Sequence, residues 1–178
     1  QLPIPSLLAK LSSEFKVCQD CLFAKLLLND ARQSIQLLVT ENWQADAIFL
    51  DPFSPPKCPQ LWTGEFISLL SKCLTPQGRL ATYSSSAAVR TALLSAGLNI
   101  GSITGAGRKS PGTIAAFEYK NLPELSIMEQ EHLQTKAAIP YRDRTLQERA
   151  EQIIVRRQQE QQKSAQESTS QWRKRWMK

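Results

Sequence analysis

The chain has 178 residues, 42% hydrophobic and 21% charged, with a net charge of +6. That balance suits one globular domain and leaves little room for two. No apolar run is long enough to cross a membrane, and the start, QLPIPSLLAKL, has no basic n-region or small-residue cleavage site, so no signal peptide is read.

Residues 5–14 are expected to form a short helix, with Leu7, Leu8 and Leu11 on one face. Phe23 to Leu28 reads as a buried strand ending at Asn29-Asp30, and a helix follows from about Ala31 to Val39. The Asp30 carboxylate can accept the unpaired N–H groups of that helix's first turn. Ala45 to Leu50 is the second buried strand. Leu61 to Leu74 repeats apolar residues at helical spacing, and Thr63, Glu65 and Phe66 suit its first turn. Pro76-Gln-Gly78 is a turn before a third strand, Arg79 to Tyr83. A helix from Ala87 to Ala96 stops at Gly97. Leu98–Thr104 and Gly112–Tyr119 are two further strands, joined by the basic loop 105–111.

Beyond Asn121 the pattern changes to a linker broken by Pro123 and Pro140. A helical pattern resumes at Thr145 and becomes Gln-rich, and the last fifteen or so residues are expected to be disordered when alone. Residues 149–178 hold eight Lys or Arg against three acids, so most of the positive charge lies there. Such a tail is attracted to polyanions such as RNA; a solvated helix is the plainer reading. Cys18 and Cys21 form a CxxC, but Cys58 and Cys73 are too far apart to be a second pair and His132 is remote. These read as reduced thiols in a cytoplasmic protein, with no metal site.

Alternating apolar strands and amphipathic helices imply an α/β fold, a parallel sheet with helices on both faces. Ligands in such sheets lie beyond the carboxyl ends of the strands. Asp30, Asp51 with Phe53, and Tyr83 with Ser84 all fall at those ends. In Asp51-Pro52-Phe53, the acid can accept a hydrogen bond from an amine. Pro52 stiffens the turn and leaves its flanking carbonyls as acceptors, and Phe53 offers a face for a base, worth about 1–3 kcal/mol. Together these suit transfer of a methyl group to an exocyclic amine, where orientation does much of the work.

Three blocks, DAIFLDPFSPPKCPQLWT, LTPQGRLATYSSSAAVRTALLSAGL and GAGRKSPGTIA, stand in that order over roughly residues 25–118. They resemble the methyltransferase domain of the tRNA 5-(aminomethyl)uridine / 5-methylaminomethyl-2-thiouridine methyltransferases of the MnmC/MnmD type. The resemblance implies a Rossmann-like sheet that uses S-adenosylmethionine to methylate the amine of a 5-aminomethyl-type uridine at the tRNA wobble position. It implies that Asp51 orients the amine and Phe53 shapes the pocket. Asp30, Ala31 and Pro52 would lie toward the cofactor. Lys57, Trp62, Tyr83, Arg108 and Lys109 would face the substrate or its RNA, with helix packing the competing role for Trp62.

The chain departs from that pattern in two places. Pro52 stands where the best-known members have Gly, nearer the D-P-P-[YF] pattern of amino-group methyltransferases. No E-x-G-x-G-x-G loop and no acid-tipped second strand occur. The fold is therefore expected to lack its first strands and glycine loop. Residues 1–120 would form a partial methyltransferase domain, and 121–178 a linker and a basic tail, helical or disordered. The flavin-dependent oxidase domain of the bifunctional members is not expected. A non-catalytic RNA-binding remnant is the alternative function. A dehydrogenase is disfavoured because no glycine fingerprint opens the fold.

Overall fold

Four strands make the central sheet: β3 (Ala45–Leu50), β4 (Leu74–Thr82), β5 (Asn99–Ile103) and β6 (Gly112–Ala116), in the order β3-β4-β6-β5. A computed structural model provides the structure and describes residues 4–19, 21–104 and 110–176. β3 and β4 pair in parallel, as expected of strands joined through a helix, here α3 (Gly64–Lys72). β6 runs antiparallel to both β4 and β5, so the sheet is mixed rather than all parallel. The reason is length: eight residues separate Ile103 from Gly112, enough to reverse the chain but too few for a crossover.

Helices α2 (Ala31–Thr40), α3 and α4 (Ala87–Ser95) lie side by side on one face of this sheet. Ile35, Phe66, Ile67, Leu70, Val89 and Leu93 from these helices form one core with Leu50 and Leu80 from the strands. Each fully buried side chain of this size contributes about 1.5–3 kcal/mol. Strand residues alternate between faces, so the neighbours of the core residues point away from it. Ala47, Phe49 and Arg79 are exposed there, Phe49 by 83%. Among the described residues helices thus cover one face of β3 and β4, not both as expected.

The local signals hold at most element ends. Asp30 caps α2, its carboxylate accepting from the Arg32 amide. The Thr63 hydroxyl caps α3 by accepting from the Phe66 amide. Gly97 follows α4 with a φ of +83°, a conformation that costs a glycine little. The expected turn at Pro76-Gln-Gly78 lies inside β4, where the pairing register slips between Ala45 and Ala47. A β-carbon on Gly78 would stand 2.9 Å from the Ala45 carbonyl oxygen, so the strands meet there only because the residue is Gly.

The first expected strand is different. Leu22–Lys25 (β2) pairs antiparallel with Lys16–Gln19 (β1) in a separate two-stranded sheet, and Leu22, Phe23, Leu26, Leu27 and Leu28 are exposed. An apolar run specifies strand propensity, but burial depends on what packs against it. Cys18 and Cys21 sit in this hairpin as exposed free thiols.

Residues 121–176 are more ordered than composition suggested. Helices α5 (Ile127–His132), α6 (Ala150–Lys163) and α7 (Thr169–Trp176) are present, and Tyr141 and Ile153 join the core. Trp172 is buried and stacks on His132 with ring centroids 4.3 Å apart. Arg175 pairs with Glu131 and Glu167, and the Trp176 indole donates to Glu131 at 2.7 Å. Two aromatic anchors therefore hold α7, within the stretch expected to be disordered when alone. Asp143, wholly buried, ties the segment to α2: it accepts from Arg32 at 2.8 Å, and its other oxygen accepts from the amides of Gln147 and Glu148.

Candidate active site

β3 leaves the core at Leu50, and the next residue, Asp51, is exposed. Its carboxylate carries no hydrogen bond or ion pair with the described residues. The backbone beyond it is held by two side-chain hydrogen bonds. The Tyr83 hydroxyl donates to the Pro52 carbonyl at 2.8 Å, and the Trp62 indole N–H donates to the Phe53 carbonyl at 2.8 Å. The two rings meet edge to face, with centroids 5.9 Å apart. Buried Trp and Tyr seek an acceptor for their single polar hydrogen. Here both acceptors lie on consecutive residues of the tip. Two donors, one directly after β4 and one in the turn before α3, thus clamp one dipeptide, while the Phe53 ring stays 77% exposed.

Asp51 and Tyr83 stand between two clefts. One, of about 380 Å³, runs over the uncovered sheet face and is lined by Phe49, Ala81, Ile103, Thr104, Ser110 and Gly112 among others. The other, of about 610 Å³, is lined by Pro52, Phe53, Ser54, Lys57, Cys58 and Leu61. The first has an apolar floor with hydroxyls at its rim; the second has an exposed ring and an ammonium. A carboxylate shared by two clefts, with no partner among the described residues, can meet one molecule from each side, which is the arrangement group transfer needs.

The structure thus brings Asp51, Pro52, Phe53, Lys57 and Tyr83 together. Trp62 is fully buried and acts on the tip from behind; it does not face a substrate. Asp30 and Ala31 are not among the described lining residues of either cleft. Both Asp30 oxygens contact the Arg32 guanidinium, which holds its carboxyl below the usual range against the opposing effect of burial. Arg108 and Lys109 lie outside the described residues. Thr104 and Ser110 at the cleft rim escaped sequence reasoning, because only strand pairing places them beside Asp51.

The clamp predicts a local effect. Trp62→Phe keeps a ring but leaves the Phe53 carbonyl without its donor, at a cost of about 1–3 kcal/mol. Amide exchange at Lys57 and Cys58, whose N–H groups close the following turn on the Ser54 carbonyl, is expected to quicken roughly tenfold for each 1.4 kcal/mol lost there. Tyr83→Phe is expected to act in the same direction. Unchanged exchange in both variants would show the tip to be rigid without the clamp.

Comparison with known proteins places this architecture. The profile of an S-adenosyl-L-methionine-dependent methyltransferase family matches residues 4–118. The crystal structure of MNMC2 from Aquifex aeolicus superposes with a TM-score of 0.80 at 34% identity, over 92% of this chain and 54% of that one. The tRNA 5-methylaminomethyl-2-thiouridine biosynthesis bifunctional protein MnmC of Ralstonia nicotianae is 40% identical over 92 residues, 52% of this chain and 14% of that protein. An uncharacterized protein of Methanocaldococcus jannaschii is 31% identical over 159 residues, 88% of this chain and 43% of that one. The chain therefore spans about half or less of the length of these relatives. With a profile match over most of its length and a sheet that superposes on MNMC2, the chain belongs to the S-adenosyl-L-methionine-dependent methyltransferase family, in its MnmC-type branch.

Proposed function

We propose that the protein methylates the amine of a 5-aminomethyl-type uridine at the wobble position of tRNA. The observation that carries this reading is the Asp51 carboxylate, unpartnered among the described residues, on a clamped tip between two clefts. The MnmC relative from Ralstonia nicotianae supports it through the tRNA 5-methylaminomethyl-2-thiouridine biosynthesis in its name.

The described residues fit the two molecules unequally. Phe53 and Lys57 suit the acceptor: the exposed ring can stack on a uracil face, and the ammonium can meet a phosphate. Phe49, Ala81 and Ile103, with the hydroxyls of Thr104 and Ser110, suit a flat, partly polar donor. S-adenosylmethionine supplies an electrophilic methyl group when bound. Asp51 accepts an N–H of the amine, directs the nitrogen lone pair across the tip, and takes the proton that the alkylated nitrogen releases. The carbonyls of Pro52 and Phe53 hold the tip's shape while Asp51 acts. Asp30, Ala31 and Pro52 are not among the described lining residues of the smaller cleft; they would meet the donor only where it extends past the tip toward the start of α2. In the tail, Lys163, Arg173 and Lys174 are exposed and would meet tRNA phosphates, whereas Arg156, Arg157 and Arg175 are engaged internally.

The test is methyl transfer from labelled S-adenosylmethionine to tRNA that carries the unmethylated amine, read by mass spectrometry of the released nucleosides. Label in 5-methylaminomethyl uridine is the expected product. Salt-dependent tRNA binding with no label transferred would instead support the RNA-binding remnant.

A further inference from the structure

Arg90 lies on α4 with its side chain only 2% exposed. Its Nε donates to the Thr113 hydroxyl at 3.0 Å, and one terminal nitrogen reaches the Ser102 hydroxyl and the Gly112 carbonyl, both at 3.4 Å. The same nitrogen pairs with Glu129 at 2.8 Å. Thr113 in turn donates to the Ser84 carbonyl at 2.7 Å, and Ser102 donates to Glu129 at 2.8 Å. One guanidinium thus joins the residue after Tyr83, the start of β6 and the end of β5. These are the strand ends from which Tyr83, Ile103, Thr104 and Gly112 line the smaller cleft.

A buried guanidinium is costly without a counter-ion. Glu129 provides it from α5, beyond the residues that the family profile matches. Ser126 fixes Glu129 in turn, through its amide at 2.9 Å and its hydroxyl at 2.9 Å. Burial opposes ionisation of Glu129, but the hydrogen bonds from the Ser126 amide, the Ser102 hydroxyl, Arg90 and the Ser126 hydroxyl outweigh it and hold the carboxyl at about 2. Glu129 is therefore charged throughout the neutral range.

We propose that Arg90 and Glu129 are positioning residues for the active site: together they set the spacing of the β4, β5 and β6 ends that wall the donor-side cleft. Neither touches a reacting group; both act through Thr113, Ser102 and Gly112. A guanidinium is suited to this because its planar fork reaches several acceptors at fixed angles, which a lysine cannot do. The kinetic consequence rests on the methyl-transfer reading, whereas the structural one does not.

The test uses Arg90→Lys and Glu129→Gln, the second removing the charge at a group on the edge of the core. Far-ultraviolet circular dichroism checks that both variants fold. Hydrogen exchange in peptides covering 98–104 and 110–116 is expected to quicken at least about tenfold, with α3 peptides unchanged. The double variant is expected to be little worse than the worse single one, because both changes break one network. With an active wild type, kcat is expected to fall about tenfold or more while KM for tRNA stays within about twofold, a loss confined to the transition state. Uniform quickening across α3 and the sheet would reduce the pair to general stabilisers, and unchanged exchange at the strand ends would overturn the proposal. A wild type that transfers no methyl group would refute the methyl-transfer reading, while the exchange measurement still decides the positioning role.

Discussion

Asp51→Asn is expected to lower kcat for tRNA methylation by at least about 100-fold, the usual contribution of a positioned base. Asparagine keeps the size and one acceptor oxygen but cannot take up the amine proton. KM for tRNA is expected to stay within about threefold, because Phe53, Lys57 and the exposed cations of the tail are untouched. Stability is expected to change by no more than about 0.5 kcal/mol. Asp51 is exposed and has no partner among the described residues, so its loss leaves nothing buried unpaired. The substitution therefore separates chemistry from folding. Steady-state kinetics and thermal unfolding on one preparation check it, and near-normal turnover would remove Asp51 from the mechanism.

Asp143→Ala is expected to have the largest effect on stability, a loss of about 3–5 kcal/mol. The carboxylate is wholly buried, it answers the Arg32 guanidinium, and it accepts from two backbone amides. Removing it leaves two N–H groups without their acceptor and takes one of two carboxylates from a largely buried guanidinium, which keeps only Asp30 and the Glu148 carbonyl. For a chain of this size the melting temperature is expected to fall by roughly 6–20 °C. Asp143→Asn is expected to cost less, because its oxygen can still accept from the amides of Gln147 and Glu148. Equal melting temperatures for wild type and Asp143→Ala would show that the C-terminal segment is not anchored there. The change also reaches the site: Arg32 bridges Asp143 and Asp30, so a released Arg32 alters Asp30, which would meet the donor where it extends past the tip.

The strand and helix order was legible between Ala31 and Ala116 because each element there carries its own signal. Apolar runs mark β3 and the second half of β4, and Asp30, Thr63 and Gly97 mark helix ends by local hydrogen bonding or backbone freedom. Asp51-Pro52-Phe53 was legible as a strand tip for the same reason. The Phe23–Leu28 run was misread because β propensity and hydrophobicity are properties of a segment, and burial is a property of its neighbours. The C-terminal segment was underestimated because Trp172, Trp176 and Asp143 act through partners in α5 and α2, far away in the chain.

By itself, then, the sequence determined the alternation of strands and helices, the acid at the end of β3, and the family, since each depends on residues close together in the chain. Tertiary structure alone decided what holds the tip beside that acid and joins the strand ends around it. Tyr83 reaches Pro52 across 31 positions, and Arg90 reaches Thr113 across 23 and Glu129 on α5. Hydrogen bonds over such separations follow from how strands and helices pack, and no local pattern in the chain encodes them.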